Sequence, residues 1–342
     1  MVHLHSMEKS NSTLAESLPA KMVAVFVGAT SGIGEYAMKA FAQQTIQPKI
    51  YFVGRSQTAA DRIIAEATQL NSSGEYIFIK SNVALLKNVE EVCRQIKAKE
   101  QSVNLLFQTQ GTMSTELTTE GLCYTYALTI TSRILFALNL LPVIQRATHL
   151  KRVVSIFAAG FEGDFDNDFA SDFIVKKPLK SRPHMASMIT MANNVLSRLA
   201  KDISFVHNYP GFVKTPFGKD AKGFLAVARV LFNLWSDMFV TYTTSTESAA
   251  LSLFIATSAR FSPKTGGCTG APLLQGMTAA NGADGDLASG SYSIDAHGDH
   301  VSREKLEHLI TARDNGSEER MWLHVINEIE SITGRRHSSD IL

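Results

Sequence analysis

The sequence predicts an α/β fold: a single doubly wound parallel sheet with helices on both faces, carrying a lid insertion and C-terminal helices. Three observations predict it. From Met22 onward, short apolar runs alternate with amphipathic stretches, the pattern of repeated strand–helix units. Several of the runs are dense in Val, Ile and Phe with little polar alternation, as in strands buried on both faces. The first of them passes through a glycine-rich turn straight into a helical pattern.

Taken in order, strands are expected at 22–27, 49–53, 76–79, 104–107, 152–156 and 204–207, with a late strand at 291–294 completing the sheet. Helices are expected between them at 33–44, 59–70, 87–99, 121–145 and 185–201, and two more, at 303–313 and 318–332, outside the sheet. Residues 1–20 are polar and are expected to be a flexible N-terminal segment; 21–342 form one domain. Two insertions stand out. The acidic, aromatic segment 161–183 follows the fifth strand and is expected to be a substrate loop. The apolar segment 217–246 follows the sixth and is expected to be a lid. Both leave the carboxyl ends of strands, where open parallel sheets bind ligands, and connections this long are uncommon without a role. A C-terminal extension covers 258–342.

Composition removes several function classes. Lys plus Arg (33) nearly cancels Asp plus Glu (32), so no basic surplus drives nucleic-acid binding. Cys93, Cys123 and Cys268 are few, odd in number and widely spaced, which fits a reducing compartment and neither a disulfide framework nor a metal site. The longest apolar stretch, 224–240, is interrupted by Arg229, Asn233 and Asp237, so no membrane span is expected. The N-terminus lacks the apolar core of a signal peptide, which makes a cytoplasmic location the expectation and the sequon Asn11-Ser12-Thr13 a chance match.

The chemistry-bearing motif is Val25-Phe26-Val27-Gly28-Ala29-Thr30-Ser31-Gly32-Ile33-Gly34. Gly28 permits the tight turn, Gly32 lets backbone approach a pyrophosphate, and Gly34 allows close helix–strand packing. The helix opening there aims free N–H groups and the positive dipole end at phosphates.

The spacing Gly-x-x-x-Gly-x-Gly resembles the short-chain dehydrogenase/reductase family, a Rossmann-type fold. Gly111, in Gln108-Thr109-Gln110-Gly111, sits where that family has Asn-Asn-Ala-Gly, and Pro210-Gly211-Phe212-Val213-Lys214-Thr215 is similar to its Pro-Gly…Thr segment, whose Thr contacts a nicotinamide amide. The resemblance covers roughly 21–257 and extends to retinol-dehydrogenase-like and fungal natural-product branches, many of whose relatives are dimers or tetramers, so a homo-oligomer is one expectation. It implies a nucleotide pocket formed by Gly28, Thr30, Ser31, Gly32, Ile33, Gly34, Arg55, Asn82, Gly111, Pro210 and Thr215. Charge selects the nucleotide. Strand two ends Val53-Gly54-Arg55-Ser56 without the acid that holds a ribose 2′-hydroxyl, and a guanidinium matches a 2′-phosphate, which points to NADP(H). Asn82 stands where the family has Asp beside the adenine.

The catalytic residues of the resembled family are missing. Its Tyr-x-x-x-Lys helix aligns on His184-Met185-Ala186-Ser187-Met188, its serine on Phe157 or Ala158, and its helix-four asparagine on Thr129. Methionine carries no charge with which to lower a neighbour's pKa, so the usual proton relay cannot operate. His184 can replace the lost acid, since imidazole titrates near neutrality; it can equally be a packed core residue. The acidic loop, with Glu162, Asp164, Asp166, Asp168 and Asp172, offers carboxylates that desolvation would tune, Asp164 and Asp166 among them, or a solvated face. Arg133 holds either a polar substrate group or a structural salt bridge, and His207 and Tyr209 are pocket or core residues.

Three functions remain open. The first is an NADP(H)-dependent oxidoreductase acting on a bulky hydrophobic, natural-product-like substrate through a non-standard acid or base. The second is a redox-neutral cyclase, isomerase or dehydratase on the same scaffold. The third is a non-enzymatic sensor of the nucleotide.

Overall fold

The structure is a computed structural model that describes residues 2–163, 168–215, 241–266 and 270–336. Its centre is a sheet of seven parallel strands: β1 (Val23–Val27), β2 (Lys49–Gly54), β3 (Glu75–Lys80), β4 (Leu105–Gln108), β5 (Arg152–Ile156), β6 (Ser204–Asn208) and β7 (Ser291–Ile294), in the order β3-β2-β1-β4-β5-β6-β7. The order reverses between β1 and β4. Loops leaving the two strands there diverge to opposite sides and open a crevice at the carboxyl edge.

Alternation along each strand builds two cores. Val23, Val25 and Val27 of β1 face a layer formed by α5 (Leu86–Lys99), α6 (Tyr124–Gln145), α8 (Pro178–Leu199) and the C-terminal helices α10 (Arg303–Asp314) and α11 (Ser317–Thr333). Ala24 and Phe26 face the other layer, made by α1 (Leu4–Ser12), α3 (Gly32–Gln44), α4 (Gln57–Leu70) and α9 (Ser245–Thr257). Strands with apolar residues at every position satisfy both layers at once, which is why their sequences read as continuous runs. Helix α6 is long and apolar enough to cross a bilayer, yet most of it is buried as core.

The strands and main helices lie where sequence periodicity puts them, within a few residues. The N-terminal segment departs from expectation. Residues 1–20 are not a flexible tail: α1 and α2 (Leu14–Ser17) bury Met7, Leu14 and Leu18 in the second core. Asn11 is buried and donates to the Ala250 carbonyl oxygen at 2.9 Å, leaving no room for a glycan. The spacing Met7, Ser10, Asn11, Leu14 makes one narrow buried face within a polar sequence, too weak a pattern to stand out by composition. Helix α8 also begins earlier than periodicity suggested, at Pro178, whose missing N–H costs nothing in a first turn. A short helix, α7 (Phe173–Lys176), precedes it. Segment 161–183 is therefore partly helical where described. The 217–246 lid lies outside the described residues except for 241–246.

Candidate functional site at the carboxyl edge of the sheet

All eleven residues expected to hold a nucleotide line one cavity of about 490 Å³: Gly28, Thr30, Ser31, Gly32, Ile33, Gly34, Arg55, Asn82, Gly111, Pro210 and Thr215. They come from loops after five different strands, so only the parallel sheet brings them together. Gly28 has φ +80°, and a Cβ there would meet the Gln110 backbone nitrogen at 2.6 Å. A Cβ on Gly34 would meet Thr109 Oγ1 at 2.5 Å and Ala29 Cα at 2.9 Å. Helix α3 starts without a side-chain cap from Ser31, which leaves its first N–H groups directed at the crevice.

Arg55 is exposed at the cavity rim and makes no ion pair among the described residues. No carboxylate follows β2 to compete with it for a ribose. Asn82 Nδ2 donates to the Tyr124 hydroxyl at 3.3 Å, and its Oδ1 accepts the Ala84 N–H at 3.3 Å, so its backbone turn is fixed. The uncapped helix, the glycine cradle and the Arg55 guanidinium, without an ion pair among the described residues, together fit a dinucleotide.

The other end of the cavity lies under β5 and β6. Helix α6 contains a π-helical turn, Ala127–Thr131, that presents Leu128 and Thr129 to the cavity; such turns recur at functional sites. Arg133, one turn on, also lines it. Ile156 and Phe157 close the wall from β5. No tyrosine or lysine is among the described lining residues.

His184 is not brought into the cavity. It is 2% exposed, and its ring stacks on Phe173 at 4.0 Å and on Phe169 at 6.1 Å. Met188 is fully buried in the first core. Asp164 and Asp166 lie outside the described residues. Asp168 accepts the Ala170 N–H at 3.2 Å, and Asp172 pairs with Lys176 at 2.9 Å across one helical turn, as solvated loop residues do.

Among the described carboxylates of the acidic loop, Glu162 is the one that is buried. Its Oε1 accepts from Thr190 at 2.8 Å and from Ser293 at 2.6 Å, and its Oε2 accepts the Gly160 N–H at 2.5 Å. Burial alone would raise its pKa, but His207 and the Ser293 and backbone donors hold it below the usual carboxylate value. His207, fully buried on β6, is pulled below its ordinary pKa by desolvation, against the pull of Glu162. Its Nε2 accepts the Ala158 N–H at 3.0 Å, which puts the proton of the neutral ring on Nδ1, 2.9 Å from Thr190 Oγ1. This network ties the end of β5, where the resembled family carries its serine, to β6 and β7. Tyr209 turns outward against Phe161 at 4.9 Å.

Arg133, expected to hold a substrate group or a structural salt bridge, lines the cavity and makes no salt bridge among the described residues. Its signal is visible: it is the one charged residue in 124–145. The network of Glu162, Thr190, His207 and Ser293 had no local signal, because its members come from four separated segments.

Residues 22–157 match the family described as short chain dehydrogenase. The chain is 32% identical over 339 residues to "Oxidoreductase andH" of Emericella variicolor, covering 98% of each chain. It is 26% identical over 336 residues to "Short-chain dehydrogenase/reductase SAT2" of Stachybotrys chartarum, covering 91% of this chain and 92% of that one. Among solved structures, the Pseudomonas aeruginosa RhlG/NADP active-site complex shares the fold with a TM-score of 0.51 at 17% identity, over 72% of this chain and 93% of that chain.

Proposed function

The chain belongs to the short-chain dehydrogenase/reductase family, and from that premise we propose that it is an NADP(H)-dependent oxidoreductase acting on an apolar substrate without the family's tyrosine acid. One observation carries this reading: the cavity joins an uncapped helix N-terminus and a glycine cradle to Arg55, with no acid after β2. NADP(H), when bound, would supply or accept a hydride. The chain's own part is to hold it. Gly32 and the α3 N–H groups would take the pyrophosphate in the turn that Gly28 and Gly34 allow, Arg55 a 2′-phosphate, and Asn82 the adenine side. Pro210 and Thr215 would border the nicotinamide end. Leu128, Ile156, Phe157 and Val213 supply apolar wall beside Thr129 and Arg133, which suits a largely hydrophobic substrate.

A redox-neutral reaction is favoured by one specific observation, the lack of tyrosine and lysine among the described lining residues. The two readings separate in a titration of the purified chain with NADPH, NADP⁺ and NADH, with Arg55→Ala as control. The oxidoreductase reading expects micromolar NADPH binding that weakens about 30-fold or more in the variant, the loss of one charge-assisted phosphate contact of about 2 kcal/mol. Absence of binding at millimolar nucleotide eliminates it and leaves the redox-neutral reading.

A further inference from the structure

Arg133 is a buried cation without a counter-charge among the described residues. It is 4% exposed and sits in a helix whose other residues are all uncharged and mostly apolar. Its Nη2 donates to the Gln110 carbonyl oxygen at 2.8 Å, a neutral partner. Its Nε and Nη1 have no hydrogen-bond partner among the described residues, and no described carboxylate pairs with it. Removing a guanidinium from water without an anion costs several kcal/mol. Arg152, the other fully buried arginine, shows the ordinary solution: it donates to the Ile255 and Ser258 carbonyls at the C-terminal end of α9, where the helix dipole is negative. Arg133 has no such seat. A void of about 20 Å³ behind it, bordered by Gln108, Thr129, Ser155 and Asn193, has room for one water. A water satisfies an N–H and leaves the charge unbalanced. Burial alone pulls the Arg133 pKa down to about 9, and it remains cationic at neutral pH.

Its position separates it from Arg55. Thr30, Gly54 and Arg55 stand at the ends of β1 and β2, whereas Thr129 and Arg133 stand below β4 and β5. From β2 to β5 is three strand spacings, about 14 Å. An anion held by Arg133 is therefore a different group from one held by Arg55.

We propose that Arg133 forms an anion-recognising subsite at the inner end of the cavity, which selects a substrate with an apolar body and one acidic oxygen, such as a carboxylate or an ionised enol or phenol. This rests on the reading that the same cavity binds NADP(H) at its outer end. The guanidinium fork matches a carboxylate or a delocalised enolate, Gln110 and Thr129 stand beside it as neutral polar partners, and the surrounding Leu128, Ile156 and Phe157 strengthen the attraction by excluding water. Arg133 here is a binding residue that orients substrate.

The test is binding, with matched probes: 2-naphthoate against 2-naphthamide and decanoate against decanamide, titrated calorimetrically into the full chain with and without NADP⁺. Wild type is expected to take at least one acid tenfold more tightly than its amide. Arg133→Met, which keeps an apolar side chain in place of the cation, removes that preference; Arg133→Lys retains part of it. NADPH affinity stays within threefold in both variants. Equal binding of acids and amides by wild type overturns the proposal without any variant, as does a preference that survives in Arg133→Met. A fall in NADPH affinity in Arg133→Met as large as that in Arg55→Ala also overturns it, by assigning Arg133 to the nucleotide. Acid preference that depends on Arg133 in a chain that binds no NADPH upholds the subsite and removes the redox reading.

Discussion

The two ends of the cavity were built under different constraints. The outer end, around Gly28 to Gly34 and Arg55, is mainly backbone: a tight turn, a helix start and one guanidinium at its rim. Backbone recognition needs glycine at fixed spacing, because any Cβ at Gly28 or Gly34 collides with the neighbouring loop. The inner end is made of side chains. Around Thr129, Arg133 and Phe157, the described lining combines apolar side chains with one cation and holds no tyrosine or lysine, while Glu162 and His207 are locked into the structure behind it. Backbone sites tolerate little change and stay legible; side-chain sites can be rebuilt on the same frame.

The sharpest way to break the comparison is at the cradle. Gly34→Ala places a methyl group 2.5 Å from Thr109 Oγ1 and 2.9 Å from Ala29 Cα, and NADPH affinity is expected to fall by about 100-fold or more, since backbone must shift before the phosphates can seat. A fluorescence titration showing less than a tenfold loss would mean that the cradle is not where the nucleotide binds.

Next comes Glu162→Gln. It removes a carboxylate that three donors and His207 hold in a buried site, with an expected cost of about 2–3 kcal/mol. Urea unfolding should record that loss while NADPH affinity stays within threefold, because the network lies behind the inner end only. Coupled loss of both would erase the division between the two ends.

A pH experiment addresses the support beneath α6. Burial pushes the Glu328 carboxyl of α11 up to about 7, partly offset by the Tyr126 hydroxyl just ahead of the π turn. The native state thus keeps a proton that the unfolded chain loses near 4.5. The sign follows: this contribution is whole below about pH 4.5 and is lost as pH rises through 7, up to about 3 kcal/mol in all. Glu328→Gln should raise the melting temperature at pH 8 and leave it nearly unchanged at pH 4.5. Equal shifts at both pH values would place the effect elsewhere.

The smallest effect is expected at His184. Stacked on Phe173 and absent from the cavity wall, it should tolerate His184→Phe with turnover within threefold on any substrate found. A loss of 100-fold with nucleotide binding intact would return it to the role of proton donor, which alignment alone assigned to it.

The amino-acid sequence alone determined the sheet, because seven apolar runs with helical patterns between them have one economical packing. It also determined the glycine turn and helix start from Gly28 to Gly34, because those residues are contiguous in the chain. It misjudged residues 1–20, where a narrow apolar face hides in a polar composition. Only the tertiary structure decided which polar groups are alone and which are partnered. His184 aligned with a catalytic tyrosine and packs against phenylalanines; Glu162, one acid among five in its loop, is tied to His207 across 45 residues of chain. Arg133 had one visible sign, a charge in an apolar helix, but the lack of a counter-ion among the described residues is a fact about everything around it. Burial and charge balance are sums over neighbours from distant segments, and folding fixes those neighbours.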